Sequence, residues 1–209
     1  MKKIEPYKNI DEAISKLDNG GRFYNILTKA DDGIISTSEL GKVGGLFYDK
    51  QQMILFFEVS ISKLDKEKRK AVISKLDEKL QKVYAKYKPI ELLPSEAHTK
   101  GIVASNMIMT GIPKLTESNS NFIGFIMIPI VTGKVTTFSM VPIIDIYDVY
   151  EIRDEVSDKE FLIAHSKGTT KLPEKKIKIA GVLKELKSDK KEKTASQKFL
   201  EVVYHMEIN

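Results

Sequence analysis

Residues 122–152 carry a single charge before Asp145, that of Lys134, and are dense in isoleucine, valine, threonine, phenylalanine and tyrosine. Branched and aromatic side chains at this density favour strands. The longest wholly uncharged run, residues 118–133, contains Pro129 and falls short of the roughly 20 apolar residues that a membrane-spanning helix needs. The stretch therefore reads as buried strands at the centre of a β domain, with helical patterns before it and further strands after it.

The expected fold class is α+β. A helical domain occupies residues 1–89, a connecting segment with Pro89 and Pro94 occupies 90–100, and an antiparallel β-barrel or sandwich occupies 101–209. Alternation and turn residues place strands at 102–110, 122–131, 134–140, 143–153, 160–166, 175–186 and 199–208. The sequence of long strand, short strand, basic strand and closing strand resembles an OB-type barrel in architecture.

In the helical half, Asn9 caps a short amphipathic helix stopped at Gly20 or Gly21, and a second short helix is expected through Phe23, Ile26 and Leu27. Gly41, Gly44 and Gly45 end a third before Asp49. The next, with Met53, Leu55, Phe56 and Val59, is apolar on most sides and suits a central helix. Asp65 then caps a long charged helix with an apolar stripe of Val72, Ile73, Leu76, Leu80, Val83, Tyr84 and Tyr87, stopped by Pro89. The pentapeptide Ile-Ser-Lys-Leu-Asp ends at Asp18, Asp65 and Asp77 without a fixed period, so it is a recurring amphipathic turn and not a repeat unit.

The most motif-like stretch is Ala30-Asp-Asp-Gly-Ile-Ile-Ser-Thr-Ser-Glu-Leu40. Asp32, Gly33, Ile35, Ser36 and Glu39 follow the second half of a calcium-binding loop in order. This resembles the EF-hand loop and is similar to the turn of the helical tellurite-resistance B-like family. The resemblance implies Asp32 and Glu39 as metal ligands. Counting back from Gly33, however, puts Thr28 and Ala30 where the loop wants carboxylates, and Ser36 with Glu39 spells a helix-capping box. The expectation is a degenerate helix-loop-helix used for packing.

With no cysteine in the chain, disulfides and thiolate chemistry are excluded, and three histidines remain for imidazole chemistry. The first residues lack the apolar middle of a signal peptide, so the expected location is the cytoplasm, with no membrane role and no cofactor. The net charge of +5 is spread among interleaved lysines and acids. The local exceptions are residues 145–160, with seven acids against Arg153 and Lys159, and residues 171–198, with ten lysines against four acids. An acidic stretch followed by a basic one is a surface that a partner could read.

In Ile143-Ile-Asp-Ile-Tyr-Asp-Val-Tyr-Glu-Ile, acids recur every third residue, which fits neither strand alternation nor a helix face. Either Asp148 points inward and is paired with a lysine or bound to a cation, or a β-bulge near Tyr147 returns it to solvent, and the bulge is the expected solution. His165 sits with Ser166, Lys167 and Thr169 at a strand end, the place where hydrolase or transferase chemistry would be sought. The expected function is a non-catalytic binding or scaffold role through a protein partner. The alternative is binding of single-stranded nucleic acid or oligosaccharide on an OB-type face, with Lys176, Lys178, Lys184, Tyr147, Tyr150 and His165 as ligand contacts.

Overall fold

The structure is a computed structural model that describes residues 1–19, 31–46, 49–132, 135–157, 159–166, 170–186 and 197–208, with backbone alone between residues 117 and 146 and at 186 and 197. Among the described residues, the order is β1 (Lys2–Lys3), α1 (Ile10–Leu17), α2 (Thr37–Gly44), α3 (Lys50–Ser60), α4 (Lys66–Ile73), α5 (Glu78–Tyr87), β2 (Ile90–Leu92), α6 (Pro94–Lys100), β3 (Asn106–Thr132), β4 (Val135–Arg153), β5 (Glu160–Ser166), β6 (Ile177–Leu186) and β7 (Gln197–Glu207). The fold is mixed α+β, with six helices and one seven-stranded sheet.

The helices begin where side chains can accept the orphan amides of a first turn. Asn9, Asp49 and Asp65 accept from Glu12, Gln52 and Lys68, and Ser36 with Glu39 forms a reciprocal capping box at α2. The single long helix expected from Asp65 is two helices. Asp77 caps α5 anew, and the chain between α4 and α5 bonds to the loop before α2: Ile35 donates to Lys75 at 2.7 Å and Asp77 to Ile35 at 2.9 Å. The apolar stripe continues through the break, so periodicity alone could not reveal it. The short helix expected through Phe23, Ile26 and Leu27 lies outside the described residues. All eight α3 residues from Met53 to Ser60 are buried, as suits a central helix.

The sheet departs from the antiparallel expectation. β3, β4, β5, β7 and β6 pair in a closed cycle in which β5 and β7 run parallel, and β1 and β2 add parallel to β7 and β3. The connection from β5 to β7 passes through β6, which pairs antiparallel with both β3 and β7. Among the described residues, five strands lie beyond residue 101, because the expected strands at 102–110 and 122–131 are one strand and those at 134–140 and 143–153 are another. The connecting segment is itself structured, as β2 and α6.

Two cores follow from the alternation of strand side chains. One cluster includes Met107, Met109, Tyr150, Ile152, Phe161, Ile163, Ile177, Ile179, Leu200 and Val202. The other joins the helices to Ile108, Ala180, Tyr204 and Met206. Val202 and Tyr204 are two apart on β7 yet belong to different cores. The pairing explains this: Tyr204 faces Ala180 and Val202 faces Gly181, so Val203 is an extra residue, a bulge that reverses the strand's phase. Gly181 lets β7 approach, since a Cβ there would stand 2.1 Å from the Glu201 carbonyl oxygen. Gly181→Ala is expected to cost about 1–3 kcal/mol in urea unfolding, because the obstruction is backbone and cannot turn away.

Residues 122–132 pair with 135–145 and with no other described strand. The predominantly apolar stretch thus forms a two-stranded ribbon running past the strand cycle for about 35 Å, at about 3.3 Å per residue. Pro129 lies opposite Phe138 and Pro142 opposite Phe125. Proline lacks a ladder donor and is tolerated where a strand keeps one open edge. No helix among the described residues is long and apolar enough to cross a membrane.

Candidate functional site

β4 and β5 bring three of the singled-out groups together. Asp148 pairs across the ladder with His165, and directly opposed residues share a face. Tyr150, two residues along, lies on that face too, and its ring stacks on His165 at 5.4 Å. All three are buried, at 3%, 0% and 1% exposure. The expected return of Asp148 to solvent is therefore overturned. The irregularity that the acid spacing demands is in the partner strand. The β3–β4 register skips Thr116 and Asn119, so β4 stays in phase and keeps Asp148 inward. The Thr116 hydroxyl donates to the Val149 carbonyl at 3.1 Å, next to the first skip.

For a neutral imidazole the hydrogen bonds select one tautomer. His165 Nδ1 lies 3.1 Å from the Ser166 carbonyl, which can only accept, so Nδ1 carries the proton. Nε2 is then the acceptor for the Tyr150 hydroxyl at 3.3 Å, and the phenol oxygen accepts the Leu172 amide at 3.2 Å. This chain suits a neutral ring. Burial pushes the His165 pKa below its ordinary value, against the upward pull of the Ser166 carbonyl and the Asp148 charge. Burial also raises the Tyr150 phenol. Such a buried relay holds the ends of β4 and β5 to the segment at Leu172. Tyr150→Phe should cost about 1–3 kcal/mol in chemical unfolding, since it strands the Leu172 amide and the imidazole nitrogen, and a loss near zero would mean the chain does not form.

Tyr147 lies on the opposite face, in a small cluster with Val149, Ala164 and Phe199. Its hydroxyl donates to Glu201 at 2.8 Å, and Lys184 pairs with the other oxygen of that carboxylate at 2.6 Å. Lys176 pairs with Glu155 at 2.8 Å and Lys178 with Glu91 at 2.7 Å. The basic and acidic stretches therefore meet each other at Lys176 and Glu155. All three lysines singled out as ligand contacts are held on carboxylates.

The loop that resembles a calcium site closes on a residue outside the motif. Asp18, at the end of α1 and 2% exposed, accepts the amides of Asp31 at 3.1 Å and Gly33 at 2.7 Å. Gly33 takes a φ of +79°, open to glycine without strain. Asp32 accepts the Ile34 amide at 2.9 Å, and the buried Glu39 accepts the Ser36 amide at 2.7 Å. Among the described residues, no three histidine or carboxylate side chains gather as a metal site would require. Thr28 and Ala30 lie outside the described residues.

Sequence reasoning missed a second polar arrangement. A cleft of about 500 Å³ opens between the starts of α2, α3 and α5, with Lys50, Lys79 and Lys82 on its walls. These lysines come from two helices with unrelated periodicity, and only the spacing of Lys79 and Lys82 in one helix was a signal. Compared with known proteins, the chain matches no protein-family model and no curated protein.

Proposed function

We propose that the chain is a non-catalytic binding module acting through protein contacts, and that its five-strand cycle is an OB-type barrel. The observation that carries the reading is the ribbon of residues 122–132 and 135–145, apolar in sequence and paired only with itself among the described strands. A sequence this apolar over this length calls for cover from another macromolecule. Pro129 and Pro142 put a break in the donor row of each strand, which favours a partner lying on a face of the ribbon over one adding a strand. In support of the barrel, the cycle closes through the parallel β5–β7 pair after four antiparallel ones, a strand order compatible with a five-stranded Greek-key barrel.

A photo-crosslinking residue at position 126, introduced in cells that make the protein, should give discrete protein adducts, and the same residue at the exposed Ser74 should not. Adducts to nucleic acid alone, or none at position 126, would refute the reading.

The strand order favours one second reading, single-stranded nucleic acid on the barrel face. It would use Lys176, Lys178 and Lys184, which would first have to leave Glu155, Glu91 and Glu201. Retention of a labelled oligonucleotide at low salt, falling steeply as salt rises, would support it. Absence of retention at low salt would remove it.

A further inference from the structure

We infer that the cleft between α2, α3 and α5 is a binding site for the phosphate groups of a small phosphorylated molecule. What distinguishes the cleft is three uncompensated lysines gathered on one concave wall. Lys175, Lys176, Lys178 and Lys184 each sit on a carboxylate, and so do Lys3, Lys16, Lys68, Lys70 and Lys100. Other lysines, Lys8, Lys63 and Lys66 among them, form no ion pair among the described residues but stand apart from this cleft, whereas the unpaired Lys50, Lys79 and Lys82 all line it. The one carboxylate on its wall is Asp77, whose Oδ1 accepts the Leu80 amide at 2.6 Å as the cap of α5. Three ammonium groups against that single acid leave two positive charges, matching a phosphomonoester dianion or part of a diphosphate.

Ser36 and Asp77 each accept one first-turn amide, and the ligand would be held chiefly by the lysines, with Thr37 also on the wall. The cleft's volume of about 500 Å³ falls within the roughly 300–1,000 Å³ of small-molecule sites. That size favours a nucleotide-sized compound over a long polyanion. Lysine supplies flexible point charges suited to phosphate, with little demand on ligand geometry.

Titration calorimetry with inorganic pyrophosphate and with adenosine diphosphate tests the site. Both probes should bind the full chain, since phosphate is what they share. Lys50→Gln/Lys79→Gln/Lys82→Gln should weaken both by roughly tenfold or more, equivalent to 1.4 kcal/mol. The control Lys8→Gln/Lys63→Gln/Lys66→Gln removes the same charge away from the cleft and should change binding less than about twofold, apart from screening. Amide NMR shifts on adding pyrophosphate should centre on Thr37, Lys50, Lys79 and Lys82, which keeps the test readable if affinity is low. The inference is overturned by no binding at millimolar pyrophosphate, by equal loss in the control, or by shifts spread over all exposed lysines.

Discussion

Replacing Arg69 with leucine should destabilise the fold by about 3–5 kcal/mol, because it leaves the buried Glu58 carboxylate without its cation. Glu58 is 2% exposed on the central helix α3. Arg69 of α4 donates to its Oε2 at 2.5 Å, and the Tyr84 hydroxyl of α5 donates to Oε1. One carboxylate thus ties three helices. Burial, with the Glu58 charge beside it, pushes the Tyr84 phenol far above its ordinary pKa, so it remains a donor at any working pH. Tyr84→Phe should cost less, about 1.5–3 kcal/mol, because the ion pair survives. Glu58→Leu/Arg69→Leu should recover most of the loss, since replacing both partners removes the desolvation cost with the attraction. Urea unfolding of the three variants checks this. An Arg69→Leu loss below about 1 kcal/mol would mean that water reaches Glu58.

Lowering the pH from 7.5 to 5.5 should destabilise the protein well before its carboxylates titrate. Burial depresses the pKa of His98, His165 and His205. For His205, the nearby charge of Lys3 adds to that depression and the charge of Glu207 opposes it. A histidine whose pKa is lower in the fold than in the unfolded chain binds its proton more readily when unfolded. Its contribution is therefore complete above the unfolded value of about 6.5 and is lost as pH falls through it toward the folded value. Within that window the two buried histidines, His165 and His205, each add a slope of at most about 1.4 kcal/mol per pH unit, and the exposed His98 adds less. A second loss comes lower. Lys175 and then Lys3 hold Glu207 down at about 2, so its contribution is present above its unfolded value and fades as pH drops below about 4.5.

His205→Leu separates the two stages. Nδ1 of His205 is buried without a hydrogen-bond partner among the described residues, so an apolar side chain should be tolerated or slightly stabilising at pH 7.5. The variant should also lose part of the slope between pH 7.5 and 5.5 while keeping the loss below 4.5. An unchanged slope in both His205→Leu and His165→Gln would contradict the assignment.

How legible these features were in the sequence depends on the range of the physics behind them. Caps are local, so Asn9, Asp65 and the Ser36–Glu39 box could be read directly. Asp77 was hidden because the stripe of Leu76, Leu80, Val83 and Tyr84 runs on across it. Glu58 was hidden inside an apolar helix, where nothing local announces that Arg69 and Tyr84 will arrive from two others. The acid spacing around Asp148 did signal a broken rule. Its resolution depended on extra residues at Thr116 and Asn119, about thirty positions away on the partner strand, whose register no local pattern sets. The ribbon was recognisable as strand, but a continuous apolar run looks the same whether a third strand covers it or not.

The phase reversal at Val203 has a consequence for how the molecule is made. Because β7 contributes Leu200 and Val202 to one core and Tyr204 and Met206 to the other, neither can close until β7 has left the ribosome. Synthesis of α5 ends at Tyr87 and that of β7 starts at Gln197, an interval on the order of ten seconds at ordinary elongation rates. Throughout that wait, the apolar surface of α3 has no sheet to cover it. A nascent chain arrested before β7 should therefore be bound by holdase chaperones and cut readily by protease in both halves, and completing β7 should protect both halves at once.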